Sequence, residues 1–119
     1  MDIVSVLKSR DLEKIKKALV EVHKAKAFSL ADSEYIEKEL ENAARYHAYH
    51  IALISSLIYD VEVDLESITG RDYLLAKSFR EAESKCELLS IDTGDEFYKT
   101  VVEELNNLLS TLCPKSTVD

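Results

Sequence analysis

The chain has 119 residues and a formal net charge of −8, with 46% apolar and 32% charged residues. That is the size of one domain with its own core, and the composition excludes bulk disorder and bulk membrane embedding. Two glycines and one proline are too few for the turns of an all-β protein and point to long helices, while the negative charge disfavours direct binding to nucleic acid, which depends on neutralising phosphates.

Charge is unevenly spread. Residues 1–27 carry a balance of +3, residues 28–69 of −7 and residues 70–119 of −4. The basic first segment can pack beside the acidic second one, or it can be presented to an acidic partner. No basic n-region follows Met1, and the longest apolar run, Ile51–Tyr59, is interrupted by Ser55 and Ser56 and is too short for a bilayer. A cytoplasmic protein without membrane contact is the expectation. Cys86 and Cys113 lack CxxC spacing. The default is that both pack as small apolar residues in a reducing compartment, with a disulfide left open.

Asp2 can cap a short helix over Ile3–Lys8, and Ser9 a second, with Asp11 and Glu13 near its positive end. Leu12, Ile15, Leu19 and Val22 form its apolar stripe; Lys14, Lys16, Lys17 and Glu21 lie off it. This helix is expected to end near Ala27. Ser29-Leu-Ala-Asp32 then reads as a capping-box-like start.

The most regular pattern follows. Leu40, Ala44, His47, Ile51, Ile54, Ile58, Val61, Leu65 and Ile68 recur at alternating intervals of 4 and 3. Such a seven-residue register marks helices that pack along a seam. It continues across Gly70 as Asp72, Leu75, Phe79, Ala82, Cys86 and Leu89, with Asp72 breaking the apolar rule. Either one helix runs over about 31–90, some 90 Å long, or the chain breaks at Gly70, and Thr69-Gly-Arg-Asp72 favours the break. Residues 59–66 also alternate like a strand, but no second strand offers a partner, so helix is preferred. Thr93-Gly-Asp-Glu96 forms a capping box for a last helix ending at Leu112 before Pro114. Its stripe is Phe97, Val101, Leu105, Leu108 and Leu112, widened by Tyr98, Val102 and Leu109.

His47 and His50 lie one turn apart. They would suit a metal only if carboxylates converged on them, and the Glu-x-x-His pattern of di-iron bundles is absent. A polar seam residue such as His47 more often sets register or oligomer state. No cofactor or metal is expected. Glu34 and Glu37 give the ExxE half of an all-α nucleotide pyrophosphatase motif, but no ExxD follows; a solvated face is the better reading. Tyr46, Tyr49 and Tyr59 suit burial between helices.

Arg45-Tyr-His-Ala-Tyr-His50 resembles the R-x4-H motif of HEPN-domain ribonucleases, small all-α domains that are often dimers. That resemblance implies that Arg45 and His50 would bind and cut RNA, with His50 moving the proton. Tyr46 departs from the polar residue usual after the arginine. Residues 40–112 resemble in layout the small helical accessory proteins of phages, including recombination mediators. The shared features are Lys77-Ser78, Ile91-Asp92 and Asp95-Glu-Phe-Tyr98 before Leu105–Leu112. This resemblance implies an oligomeric adaptor.

The sequence therefore predicts an all-α fold, a long helical hairpin or a four- to five-helix bundle with coiled-coil-like packing. It is one domain: basic helices over 1–28, the heptad helix or hairpin over 30–90, and a C-terminal helix over 94–112. The expected role is a non-catalytic assembly or interaction protein, a homo-oligomer or a binder of a helical or basic partner. The alternatives are a HEPN-like ribonuclease and an acidic inhibitor imitating nucleic acid through Asp32–Glu41 and Asp60–Glu66.

Overall fold

The computed structural model describes residues 2–31, 36–58, 70–91 and 94–113. Within them the chain forms α1 (Ile3–Ser9), α2 (Leu12–Ala31), α3 (Ile36–Ile58), α4 (Gly70–Lys85) and α5 (Glu96–Leu112), an all-α bundle with no strand among the described residues. Among them, too, no helix is long and apolar enough to cross a membrane.

Local chemistry sets the ends. Asp2 caps α1 by accepting from the Ser5 amide at 3.3 Å and its hydroxyl at 2.8 Å. Arg10 stops α1 in the left-handed region at φ 55°. The cap of α2 is Asp11, whose carboxylate accepts from the Glu13 and Lys14 amides at 3.0 and 3.4 Å. Ser9, the expected cap, instead accepts from the Asp11 amide and so shapes the joint. Helix α2 does not end near Ala27. It runs to Ala31, so Ser29 lies inside it and the capping-box reading of Ser29–Asp32 is corrected. That short signal is worth only about 1 kcal/mol. The cap of α5 is Asp95, which accepts from the Phe97 and Tyr98 amides. Gly94 precedes it at φ 66°, a conformation glycine tolerates best. Thr93, the expected cap, lies outside the described residues.

Helix α3 is the hub. It packs most extensively on α2, then on α5 and α4, and also meets α1. From Ala43 to Leu57 it is buried nearly all round. Ala44, His47, Ile51 and Ile54 of the predicted seam are buried, and so are Ala43, Ala48, Ala52, Leu53, Ser55, Ser56 and Leu57. A helix apolar on every side belongs in a core, not in a two-helix seam. Ser55 meets the cost of burial by donating to the Ala52 carbonyl at 2.6 Å. The side chains of Leu40 and Ile58, and all of Val61, Leu65 and Ile68, lie outside the described residues, as do Tyr59 and the strand-like stretch 59–66.

The single-rod alternative is excluded. Helix α3 ends at Ile58, α4 starts at Gly70 and the two pack together. The longest dimension of the molecule is 43 Å, half what a continuous 31–90 helix would need. Leu75, Phe79 and Ala82 of α4 bury against the core, as do Ile15, Ala18 and Val22 of α2 and Val101, Val102, Leu105, Leu108 and Leu109 of α5. The stripe predicted for α5 is the one observed.

Cys86 and Cys113 are joined by a disulfide, which corrects the expectation that they pack as separate thiols. The turn after α4 explains the meeting. The Glu87 amide donates to the Ala82 carbonyl at 2.9 Å and the Cys86 amide to Glu83 at 3.3 Å, the paired bonds of a Schellman motif. Cys86 takes the left-handed position at φ 53°, and its side chain leaves the seam for the end of α5. Asn106 then clamps the outgoing strand of chain, accepting from the Leu89 amide at 2.8 Å and donating to its carbonyl at 3.2 Å.

Candidate functional site

Four helices each send one polar side chain to a common point in an otherwise apolar interior. His47 comes from the middle of α3, Asp72 from the first turn of α4, Tyr98 from the first turn of α5 and Lys26 from the last part of α2. In the heptad register His47 and Asp72 stand apart as the polar members of an apolar series. The structure brings them together. His47 Nε2 lies 3.0 Å from Asp72 Oδ1, and the side chains are only 10% and 12% exposed. Tyr98 Oη donates to the same oxygen at 2.8 Å and lies 3.4 Å from His47 Nε2. On the other edge of the imidazole, Lys26 Nζ is 3.2 Å from Nδ1.

These contacts fix the protons. An ammonium can only donate, so Nδ1 of His47 accepts and its ring proton sits on Nε2, aimed at Asp72. The carboxylate oxygen therefore accepts from both His47 and Tyr98. The Tyr98 hydroxyl is pushed up to about 12 by burial first, then by its bond to Asp72 and the carboxylate charge. Burial pulls the Lys26 pKa down, and the Asp72 charge opposes that pull. Arg71 lies over the Tyr98 ring at 4.4 Å and 3.7 Å from Asp95, closing the outer side.

His50 stands beside this group without joining it. Its ring stacks on His47 at 5.9 Å and 8°, so the two imidazoles lie side by side and do not converge on one point. Among the described residues no set of three His, Cys, Asp or Glu side chains is arranged to hold a metal. His50 Nδ1 is buried without a hydrogen-bond partner. Burial, followed by the charges of Lys26 and His47, lowers its pKa from 6.5 to about 4. A histidine kept neutral by the fold binds fewer protons than in the unfolded chain between those values, so folding stability should fall as pH drops from 6.5 towards 4. A series of urea midpoints against pH should show that slope. His50→Gln should flatten it, and an unchanged slope would place its origin elsewhere.

Arg45, the other half of the R-x4-H pair, has different neighbours. It donates to Asn42 Oδ1 at 2.8 Å and lies 5.7 Å from the Tyr46 ring centre. Tyr46 and Tyr49 are half-buried and meet edge to face at 6.2 Å. Asp32 and Asp60–Glu66 of the acidic alternative lie outside the described residues, as do Glu34 and the side chain of Glu37.

A second feature is the outer face of α2. Lys14, Lys16, Lys17 and Lys24 are exposed. Val20 stands among them at 55% exposure. Glu13, Lys14, Lys16, Lys17 and Val20 line an open cavity of about 350 Å³. A neighbouring cavity of about 330 Å³ shares Lys14 and Lys17 and reaches Asp2 and Ser5 of α1. The lysines do not turn inward to an acidic neighbour within the described residues; the ion pairs found there are made by Arg10, His47, Arg71 and Lys85. Neither Lys26 nor Val20 stands out in the sequence: each looks ordinary until the fold gives it a neighbour or leaves it exposed. No protein-family model, curated protein or solved structure matches the chain.

Proposed function

We propose that the chain is a non-catalytic helical assembly protein in which the basic outer face of α2 seats on the acidic surface of the next copy. The observation that carries this reading is the set of exposed lysines around Val20, on a chain whose remaining segments are strongly acidic. Glu81, Glu87, Glu96 and Glu103 are exposed on α4, α5 and the segment between them and supply the complementary sign. Opposite patches on one surface give head-to-tail contacts, which close into rings or run on as filaments. The layout shared with phage recombination mediators, themselves ring-forming, points the same way and suggests a phage accessory role.

The described seam residues Ala44, His47, Ile51 and Ile54 are buried within the chain, and the exposed lysine face of α2 offers a separate surface for self-association. Contacts between exposed charges weaken once salt shortens the screening length to about 8 Å. Sedimentation at low salt should therefore show concentration-dependent association that physiological salt reduces and that Lys14→Glu/Lys16→Glu/Lys17→Glu abolishes. A strict monomer at low salt overturns the reading. So does capture of a single-stranded oligonucleotide by the same lysines without self-association, which would make this face a phosphate binder.

A further inference from the structure

Lys26 is placed differently from every other described lysine. Its amine rests against an imidazole whose far nitrogen is held by a carboxylate. Read outward from the core, the order is Tyr98 hydroxyl and Asp72 carboxylate, His47 imidazole, Lys26 amine. This is a proton acceptor with an anchored second edge, facing a group that becomes a nucleophile once it loses a proton.

We infer that Lys26 is a reactive amine that condenses with small aldehydes, with His47 as the acceptor of its proton. The fold provides for the step in a definite order. The Lys26 ammonium passes one proton across the 3.2 Å contact to His47 Nδ1. The imidazolium so formed already donates from Nε2 to Asp72 at 3.0 Å, so the positive charge moves towards the carboxylate. The amine lone pair attacks the aldehyde carbon, the C=O pair shifts to oxygen, and that oxygen takes a proton from His47. A second ammonium proton moves to that oxygen, and loss of water then leaves a protonated imine on Nζ. Atoms and charge balance without a redox partner, and the product is a stoichiometric modification, not a turnover.

In water the proton would favour the amine over imidazole by a factor of about ten thousand. Two features narrow that preference. Partial burial of Nζ disfavours its charged form, with the Asp72 charge partly offsetting that effect, and the 3.2 Å contact sets an acceptor nitrogen directly against the amine. The other titratable and charged groups around the step are His23 on α2, His50 on α3, Arg71 on α4 and Asp95 and Tyr98 at the start of α5. His23 and Arg71 are exposed, and Arg71 is turned to Asp95. His50 shares no hydrogen bond with the relay. The inference is independent of the assembly reading, because Lys26 is not among the lysines that line the outer cavities.

The test is reductive methylation of the folded full chain with formaldehyde and cyanoborohydride, stopped early and mapped by peptide mass spectrometry. Lys14, Lys16, Lys17 and Lys24 serve as exposed internal standards. A positioned base speeds such a step by about a hundredfold or more when fully enclosed; for a half-buried amine the expected advantage of Lys26 at neutral pH is about tenfold over the standards. His47→Gln, which keeps the size and hydrogen bonding but not the proton acceptor, should erase that advantage. Asp72→Asn removes the charge that holds the Lys26 pKa up and should shift the pH of half-maximal labelling downward, whereas Tyr98→Phe should leave most of the advantage. Should His47→Gln fail to fold, the wild-type ordering and Asp72→Asn decide. Lys26 reacting no faster than the standards overturns the inference, and so does an advantage that survives His47→Gln in a folded protein.

Discussion

Asp72→Ala should lower the free energy of unfolding by about 3 kcal/mol, because it leaves two largely buried donors without their acceptor, at about 1–3 kcal/mol each. The donors are the Nε2–H of His47 and the hydroxyl of Tyr98, both on Asp72 Oδ1. Lys26 loses its nearby countercharge in the same change, so the positive end of the relay is left facing an uncompensated interior. Asp72→Asn keeps an acceptor oxygen of the same shape and should cost about 1 kcal/mol, the usual net value of one hydrogen bond. Denaturant midpoints at neutral pH measure both. If alanine and asparagine cost the same and less than about 0.5 kcal/mol, the level of an ordinary surface change, the group is not holding α3, α4 and α5 together.

Breaking the disulfide should be of similar size through a different route. The bond closes a loop with a sequence separation of 27, and removing that constraint frees the unfolded chain by about 3–4 kcal/mol in the loop-entropy account. For a chain of this length the expected loss in thermal midpoint is roughly 10–15 °C. Cys86→Ser/Cys113→Ser, or the wild type with reductant, should show it by calorimetry. Helices α4 and α5 should remain folded below that lower midpoint, because Phe79, Leu105, Leu108 and Leu109 are buried independently of the bond. Equal midpoints with and without reductant would mean that the bond constrains nothing. A bond of this kind persists in oxidising surroundings and is lost where glutathione keeps thiols reduced.

The fold class and the stripes of α2 and α5 were legible because each rests on spacing within one helix. Ile15 with Val22, and Val101 with Leu105 and Leu108, report their own burial. Of the seam from Leu40 onward, Ala44, His47, Ile51 and Ile54 are buried as its apolar spacing suggests. A strict heptad marks one face, and nothing in it said that Ala43, Ala48, Ser55 and Leu57 would be covered as well. The site was legible only in fragments. His47 and Asp72 announced themselves as polar residues in an apolar register, yet they are 25 positions apart, and an unbroken register does not say which residues a turn will place face to face. Tyr98 read as a widening of a stripe, and Lys26 as one lysine among many. Cys86 and Cys113 carried no spacing signal at all. Their meeting follows from the left-handed turn after α4, which the residues Lys85-Cys-Glu87 do not advertise as a glycine would.

The relay among Lys26, His47, Asp72 and Tyr98 also bears on how the chain finds its fold. Its contacts join positions 21, 25 and 26 residues apart, so none forms within a single helix. All are satisfied together only when four helices have docked in the right order and register. Until then each compact alternative must hide an amine, an imidazole or a carboxylate with nothing opposite it, at a cost of several kcal/mol per stranded charge. The group therefore works as a password for assembly: it is satisfied in the correct arrangement and heavily taxes every wrong one. Because its contacts need four docked helices, its loss should act on the unfolding arm of the kinetics, speeding the escape from the native state and leaving the rate of reaching it nearly untouched.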